Sequence, residues 1–256
     1  MRLPVLLYHH VGPSLLDAWH ASLSISPEMF RRQMRWLNRN GYTGLRVADL
    51  LAWRQQGIPL PAKPVLLTFD DGYADFPDHA LPVLRRYGFG GVVFIITGWI
   101  AKANLWDGSP LMSASQIREC SAQGIEFGAH TRTHPDLTTL SGAELREEVA
   151  GSAEDLSAIL GTRVTSFAYP CGFWNEEVRA SVRESFDLAF TCEEGRNEID
   201  TDPYRMHRTM VQRGDFLLDL ACRVRLGWSP LTALRSRLRV RSRFRKVANW
   251  LGGRGA

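Results

Sequence analysis

Two adjacent carboxylates follow directly on an apolar run in the first third of the chain. The run 66–69 is typical of a buried strand, and it is followed at once by Asp70, Asp71 and Gly72. Adjacent carboxylates repel each other, so the pair is best explained if one binds a cation and the other exchanges a proton. A plain turn is the alternative interpretation, because Asp-Gly is a common turn pair.

Two histidines four residues apart, His130 and His134, follow the end of another strand-like run. On one helical turn this spacing would bring both imidazoles close enough to bind a single ion. The alternative is a pair of hydrogen-bonded surface histidines, since this spacing alone is weak evidence. Together with one carboxylate, however, the histidines would supply three protein ligands and leave positions open. A metal in such a site lowers the pKa of a water and polarises a carbonyl group, which indicates metal-assisted hydrolysis.

A third strand-like run ends in a Pro-x-Gly loop at residues 170–172. Such a loop can present a backbone N–H, here that of Cys171, to an oxyanion formed during hydrolysis. Covalent catalysis by the Cys171 thiol is disfavoured, because it would need its own histidine base and both nearby histidines are assigned to the metal.

The composition is that expected of an enzyme with one large core. The chain has 256 residues, 45% of them hydrophobic, which suits a single α/β domain. Its net charge of +4 is unevenly distributed: residues 223–256 hold ten Lys/Arg and no acid, which leaves 21 basic against 27 acidic residues elsewhere. The four cysteines show no CxxC spacing, so we expect reduced thiols. Because residues 1–8 lack a signal-peptide cleavage site and no apolar run could span a membrane, we expect a cytoplasmic protein.

Strand-like and helix-like segments alternate along the chain, which is typical of βα units around a parallel sheet. Strands are expected at 3–9, 64–70, 91–97, 125–129, 165–169 and 188–191. Helices are expected at 26–41, 47–56, 75–87, 113–123, 141–160 and 175–185. A capping-box pattern at 141–144 is expected to open the longest helix.

In its three chemical segments the chain resembles the polysaccharide deacetylases of the NodB-homology type, carbohydrate esterase family 4. The matching segments are Thr-Phe-Asp-Asp-Gly at 68–72, His-Thr-Arg-Thr-His-Pro at 130–135 and, in divergent form, Phe-Ala-Tyr-Pro-Cys-Gly at 167–172. The resemblance implies an α/β fold: a distorted, TIM-barrel-related (β/α) barrel of seven to eight mostly parallel strands. This catalytic domain would cover residues 1–220.

The resemblance also implies a role for each residue of these segments. Asp70 would be the catalytic base, and Asp71, His130 and His134 would bind a divalent metal, usually zinc. A cysteine, Cys171, stands where the family has tyrosine, but a backbone donor survives any side-chain change except proline.

The histidine that acts as acid in this family belongs to a Leu-x-His motif near the C-terminus. Met-His-Arg at 206–208 is a poor match and makes His207 the weaker candidate. Leu-Tyr-His at 7–9 does fit, which resembles the circularly permuted branch with the biofilm poly-N-acetylglucosamine deacetylases and implies His9 as the acid. In a closed barrel the first and last strands are neighbours, so this exchange keeps the side chain in place. Alternation along a strand would turn His10 elsewhere.

The third segment lacks the family's usual arginine before the strand, so two residues remain candidates for orienting Asp70, namely Arg163 and Arg208. Candidate substrate-binding residues are Tyr73, Tyr169, Pro170, Trp174 and Arg208. The aromatic side chains of Trp99, Trp106, Phe173 and Trp174 could stack on sugar rings, although simple packing is an equal explanation.

These expectations combine into a metal-dependent hydrolase that removes N-acetyl groups from N-acetylglucosamine-type sugars of a polysaccharide. A deformylase or deacetylase of a small or lipid-linked amino sugar is one alternative. A carbohydrate-binding protein with an inactive site is another, but the intact Asp and His sets argue against it.

Residues 221–256 are expected to form a basic tail, and the sequence fits more than one binding partner for it. Four apolar residues repeat at helical spacing among its arginines: Val240, Phe244, Val247 and Leu251. A basic amphipathic helix on an anionic membrane surface is one hypothesis, with the enzyme held peripherally at the inner face of the membrane. Strict alternation at 234–244 also fits a strand, and packing against the acidic body is a third interpretation. No binding motif accompanies the charge, so nucleic acid is not expected.

Overall fold

The apolar runs of the sequence form one curled sheet, in which all neighbouring strands are parallel. The protein is described by a computed structural model of residues 2–13, 20–232 and 234, and the sheet has eight strands within these residues. They are β1 (Val5–Tyr8), β2 (Thr43–Leu45), β3 (Pro64–Phe69), β4 (Val92–Ile95), β5 (Glu126–Ala129), β6 (Ser166–Ala168), β7 (Leu188–Phe190) and β8 (Thr209–Met210). Their order is β7-β6-β5-β4-β3-β1-β8, and β2 pairs with the start of β3.

Helices cover the outer face of the sheet. They are α1 (Pro27–Arg39), α2 (Val47–Gln56), α3 (Phe76–His79), α4 (Leu81–Tyr87), α5 (Ala114–Ala122), α6 (Gly142–Leu160), α7 (Glu176–Ser185) and α8 (Leu217–Leu226). The start of α1 follows the expected signals: Ser26 Oγ accepts a hydrogen bond from the Met29 N–H at 3.2 Å, and Pro27 occupies the first turn. Its buried side chains, at Phe30, Gln33, Met34 and Leu37, recur every three or four residues and so share one face.

Both faces of the sheet are buried, and successive residues of a strand pack into two different hydrophobic clusters. Val92 and Phe94 of β4 belong to the cluster inside the barrel, whereas Val93 and Ile95 pack against the helices. This arrangement explains why the strands read as continuous apolar runs. At the end of β1 the same alternation turns Tyr8 outward, where its hydroxyl donates to Gln33 Oε1 at 2.9 Å.

The barrel is closed by a short segment near the end of the described chain. Met206 bridges to Phe190 of β7, and residues 209–210 pair with residues 6–7 of β1. The segment therefore joins the two edges of the curled sheet, with Arg208 at its centre. The expected distorted barrel of parallel strands is confirmed.

Several local predictions differ from the structure. The helix expected at 75–87 is two helices that meet at Ala80, because the ring nitrogen of Pro82 has no N–H to continue the hydrogen-bond ladder. The capping box at 141–144 is wrong, since the Ser141 side chain makes no cap hydrogen bond, although α6 begins where expected. The strands β2 and β8 are too short to be recognised from apolar patterns.

Helix α8 crosses the predicted domain boundary at residue 220. Its Arg223 is buried and forms an ion pair with Asp215 at 2.8 Å, and it also donates to Thr209 Oγ1 at 2.9 Å. The packed body thus continues to Leu226, because α8 attaches β8 to the rest of the barrel. Residues 235–256 of the predicted basic tail lie outside the described residues. No helix in the described part of the chain is long and apolar enough to cross a bilayer.

Replacing Arg223 by methionine tests whether α8 belongs to the folded body. The substitution would leave the buried Asp215 carboxylate without this guanidinium, so we expect the free energy of unfolding in urea to fall by about 3–5 kcal/mol. The matched control is Arg225→Met on the exposed side of the same helix, which should change stability by less than about 0.5 kcal/mol. Equal losses in the two variants would contradict this assignment.

Candidate active site

Side chains that follow the parallel strands meet at one edge of the barrel, as expected for carboxyl ends of such strands. His9 follows β1, Asp70 and Asp71 follow β3, and His130 follows β5. All four line a single cavity of about 620 Å³. Seven further residues complete its wall, six outside the strands and Met210 from β8: Leu23, Trp106, His134, Cys171, Phe173, Cys192 and Met210.

Asp71, His130 and His134 have the spacing of a metal-binding set. Asp71 Oδ1 lies 3.6 Å from His130 Nε2 and 3.9 Å from His134 Nε2, and the three ligand atoms lie within 4.8 Å of one another. Two ligands each about 2.1 Å from a zinc ion at a tetrahedral angle would be about 3.4 Å apart, so small adjustments would complete the site. No second group of three such side chains occurs among the residues that the structure describes.

The protonation of these three groups also favours a cation. His130 Nδ1 lies 2.7 Å from the Ala168 carbonyl, which can only accept, so Nδ1 carries the proton and Nε2 keeps its lone pair. Burial lowers the pKa of His130, and burial with the neighbouring His130 lowers the pKa of His134 to about 3. Burial, followed by repulsion from Asp70, raises the pKa of Asp71 well above its usual value. A divalent cation would supply the positive charge that this carboxylate needs.

The loop between the two histidines is not helical, so the prediction that they share a helical turn is wrong. Thr131 and His134 have left-handed backbones, with φ of 65° and 60°. The loop is closed by Thr131 Oγ1, which accepts from the His134 N–H at 2.9 Å. This turn, and not a helix, brings the second imidazole back to the first.

Cys171 also has a left-handed backbone, with φ of 54°, in the short turn Pro170–Gly172. Gly172 packs against the next strand end, where an added Cβ would lie 2.7 Å from Cys192 N. Within the described residues no acceptor is found for the Cys171 N–H, which leaves this donor available to a ligand. Burial raises the pKa of the Cys171 thiol, which disfavours the thiolate that covalent catalysis would require.

Asp70 is held by a buried arginine. Arg208 donates from Nη1 to Asp70 Oδ1 at 2.7 Å and from Nη2 to Oδ2 at 2.8 Å, and its Nε donates to the Thr191 carbonyl at 2.8 Å. Burial alone would raise the pKa of Asp70, but the Arg208 charge holds it below its usual value. Asp70 is therefore ionised and fixed in one orientation. The other candidate, Arg163, pairs with Asp187 at the surface.

The three histidines considered as the acid lie in different places. His9 lines the cavity, and burial lowers its pKa to about 4. His10 turns away and lies 3.1 Å from Asp75 Oδ2. His207 lines a separate open cleft, where its Nδ1 is 3.7 Å from Glu193 Oε2. The alternation along β1 therefore gives His9 and His10 the different surroundings that the sequence predicts.

Comparison with known proteins shows similarity in both sequence and fold. A family model described as Polysaccharide deacetylase matches residues 57–185, and YxkH of Bacillus subtilis, whose name also refers to such an enzyme, is 30% identical over 214 residues. That alignment covers 83% of this chain and 72% of YxkH. The chain belongs to the polysaccharide deacetylase family. The predicted family and enzyme class, a hydrolase, are confirmed.

Two further relatives of this polysaccharide deacetylase are informative. The poly-beta-1,6-N-acetyl-D-glucosamine N-deacetylase of Staphylococcus epidermidis is 26% identical over 206 residues, which cover 75% of this chain and 70% of that protein. The structure of the Streptococcus pyogenes deacetylase PplD in complex with acetate has a TM-score of 0.77 and 25% identity. It covers 86% of this chain and 97% of PplD.

The family match does not extend over the whole site of this deacetylase. Residues 57–185 contain the Asp pair, the His pair and Cys171, whereas His9 and Arg208 lie outside them. His9 directly follows β1 and Arg208 directly precedes β8, and these two strands pair with each other. Arg208 was one of two candidates from the sequence, and only its position in the fold distinguishes it from Arg163.

The predicted substrate-binding residues do not line the cavity. The hydroxyl of Tyr73 donates to Asp107 at 2.9 Å, that of Tyr169 donates to the Tyr204 carbonyl at 3.0 Å, and Trp174 Nε1 donates to Glu193 at 3.2 Å. Pro170 is buried, and Arg208 contacts Asp70 where a substrate contact was expected. Of the aromatic candidates, Trp106 and Phe173 do line the cavity. No pattern in the sequence indicates that Leu23, Cys192 and Met210 would line the cavity.

Replacing Arg208 by lysine tests its effect on Asp70. Lysine keeps the positive charge but cannot donate to both carboxylate oxygens as the planar guanidinium does. We expect kcat to fall about 10²-fold while metal content stays near that of the wild type, because the base loses its orientation. Tm should fall as well, because lysine cannot replace the buried contacts with Thr191 and with both Asp70 oxygens. The matched control, Arg163→Lys at the surface, should leave kcat unchanged. Full activity of Arg208→Lys would mean that the bidentate contact is dispensable.

Proposed function

We propose that this deacetylase removes N-acetyl groups from N-acetylglucosamine units of a polysaccharide, releasing acetate and leaving a free amine on the sugar. The observation that carries the proposal is the pairing, in one cavity, of an ionised Asp70 with the Asp71, His130 and His134 set. The name of the Staphylococcus epidermidis relative supports the choice of polymer, and the acetate bound to PplD supports the acyl group.

The metal dependence of this reaction is part of the proposal. Asp71, His130 and His134 would hold a divalent cation, and their two nitrogen donors and one oxygen donor suit zinc. When bound, such an ion polarises the acetyl carbonyl and makes water more acidic. The remaining steps are performed by the side chains and the backbone around it.

Asp70 is placed to take the proton from the attacking water. Each of its oxygens accepts one hydrogen bond from Arg208 and keeps further acceptor capacity for a proton. The available Cys171 N–H would donate to the oxyanion that forms from the carbonyl. Thus the ion pair fixes the base on one side of the cavity and the turn at 170–172 provides a donor on another.

His9 would protonate the sugar nitrogen as the bond between this nitrogen and the acetyl carbon breaks, which leaves the amine on the sugar. Its lowered pKa, about 4 because of burial, keeps the imidazole neutral at neutral pH. His9 must therefore gain a proton after the substrate has bound, and the proton that Asp70 removes from water is available for this. That both Asp70 and His9 line the same cavity supports this route for the proton.

The same site could also act on a different amino sugar. A deformylase or deacetylase of a small or lipid-linked amino sugar would use the same base and metal ligands, so acetylated and formylated glycans should be compared directly. An inactive carbohydrate-binding protein is disfavoured, because such a protein has no need for a buried ion pair beside a metal-ligand set.

Acetate release from N-acetylglucosamine oligomers tests the assignment of Asp70 and His9. We expect Asp70→Asn to lose nearly all activity, and His9→Ala to lose about 10²–10⁴-fold in kcat, which is the usual contribution of proton transfer by a positioned side chain. The control is His207→Ala in the separate cleft, which should be nearly silent.

Metal analysis and Tm establish that each of these variants still folds and still carries its ion. Retained activity in Asp70→Asn would refute the mechanism. Loss of activity in His207→Ala, with little effect of His9→Ala, would reverse the choice of acid.

We further propose that an anionic lipid bilayer is the partner of the C-terminal region. Ten large apolar side chains are exposed in the described residues, and four of them follow one another on and after α8: Leu218, Leu226, Trp228 and Leu234. Residues 235–256 follow Leu234 in the sequence and hold eight Lys/Arg and no acid. Apolar contact and attraction of basic residues to anionic lipid, worth about 1 kcal/mol each, would act together.

Vesicle co-sedimentation of the full chain tests this partner. We expect binding to anionic vesicles at low salt that weakens at high salt, and loss of binding when Leu218 and Trp228 are both replaced by glutamate. The control Ile58→Glu alters an exposed apolar side chain elsewhere and should bind as the wild type does. Equal binding to neutral vesicles, no binding, or a dimer abolished by the double substitution would each refute the proposal.

A further inference from the structure

The loop that carries the two metal-binding histidines needs support from outside itself. Thr131 and His134 adopt left-handed backbones that residues with a Cβ rarely occupy, and the loop has no regular hydrogen-bond ladder of its own. Without external contacts, the segment between His130 and His134 would relax into other conformations, and the second imidazole would leave the first.

Helix α6 supplies such contacts through one carboxylate. Glu148 Oε2 accepts from the N–H groups of Arg132 at 2.8 Å and Thr133 at 2.9 Å, while Oε1 accepts from Thr133 Oγ1 at 2.6 Å. A single side chain thus binds two successive backbone amides and one hydroxyl at the middle of the loop. None of these contacts is made by a residue of the metal-binding set.

Two other contacts hold the loop in the same position. On α6, Asp155 forms a bidentate ion pair with the Arg132 guanidinium, at 2.8 and 2.9 Å. From the other side, the N–H groups of Thr97 and Gly98 donate to the carbonyls of Thr131 and Arg132, at 3.0 and 2.9 Å. The loop is therefore fixed between α6 and the end of β4, with Glu148 as the side chain that binds its backbone.

We propose that Glu148 is a positioning residue for the metal site, which holds the 130–134 loop so that His134 already faces His130 before a metal binds. This inference rests on the proposed metal site. Residues that orient metal ligands without touching the metal commonly change metal affinity 10–100-fold. The contribution of Glu148 comes from the reach and placement of its two oxygens and not from its charge.

The zinc dissociation constant of the metal-free protein, measured by competition with a chelator, tests this role. Glu148→Gln keeps the reach and can still bind both amides through its oxygen and Thr133 through its NH₂ group, so it should stay within a few-fold of the wild type. Glu148→Asp keeps the charge but is one methylene too short, so the dissociation constant should rise at least about tenfold. Glu148→Ala should weaken binding at least as much.

The matched control is Glu154→Ala, which removes an exposed acid from the same helix and should leave zinc affinity unchanged. Circular dichroism of each metal-free variant shows whether it folds, and the aspartate variant provides the test if the alanine variant does not. If the glutamine variant binds zinc more weakly than the aspartate variant, the charge of Glu148 matters and not the position of its oxygens. Equal zinc affinity in all variants would also overturn the inference. Failure of the wild type to bind zinc would refute the proposed function instead.

Discussion

The buried ion pair between Asp70 and Arg208 is the interaction on which the rest of the site depends. Burying two charges is costly unless their hydrogen bonds are satisfied, and here they are. Arg208 meets both Asp70 oxygens, the Thr191 carbonyl and, at 3.3 Å, Thr68 Oγ1, which itself donates to the Leu6 carbonyl. The pair therefore ties β3 and β1 to the end of β7 and fixes the direction of the Asp70 carboxylate.

The same pair explains how two adjacent carboxylates can do different work. Arg208 stabilises the charged form of Asp70 only, so the pKa of Asp70 is held low while burial and repulsion raise that of Asp71. The Asp71 carboxyl has no such arginine partner and lies beside His130 Nε2 and His134 Nε2, at 3.6 and 3.9 Å. In the proposed function, this single long-range contact would let Asp70 serve proton transfer while Asp71 binds a cation.

Local signals in the sequence were sufficient for the strand ends and for the residues placed directly after them. They failed where conformation depends on distant contacts. The spacing of His130 and His134 fits a helical turn as well as a loop, and the contacts that select the loop come from α6 and the end of β4. Likewise, Arg208 meets Asp70 across 138 residues of chain, which no local pattern can indicate.

Closure of the barrel connects these observations. His9 follows β1, and Arg208 directly precedes β8, which pairs with β1. Met206 in the same segment bridges to Phe190 of β7, so residues 206–210 join the two edges of the curled sheet. Arg208 lies beyond the matched family segment but contacts Asp70 within it, so the chain between β7 and β8 packs in the same body as the Asp pair. Helix α8 supports that conclusion, because its Arg223 binds Thr209, the residue after Arg208, and so holds the closing strand in the place that the ion pair requires.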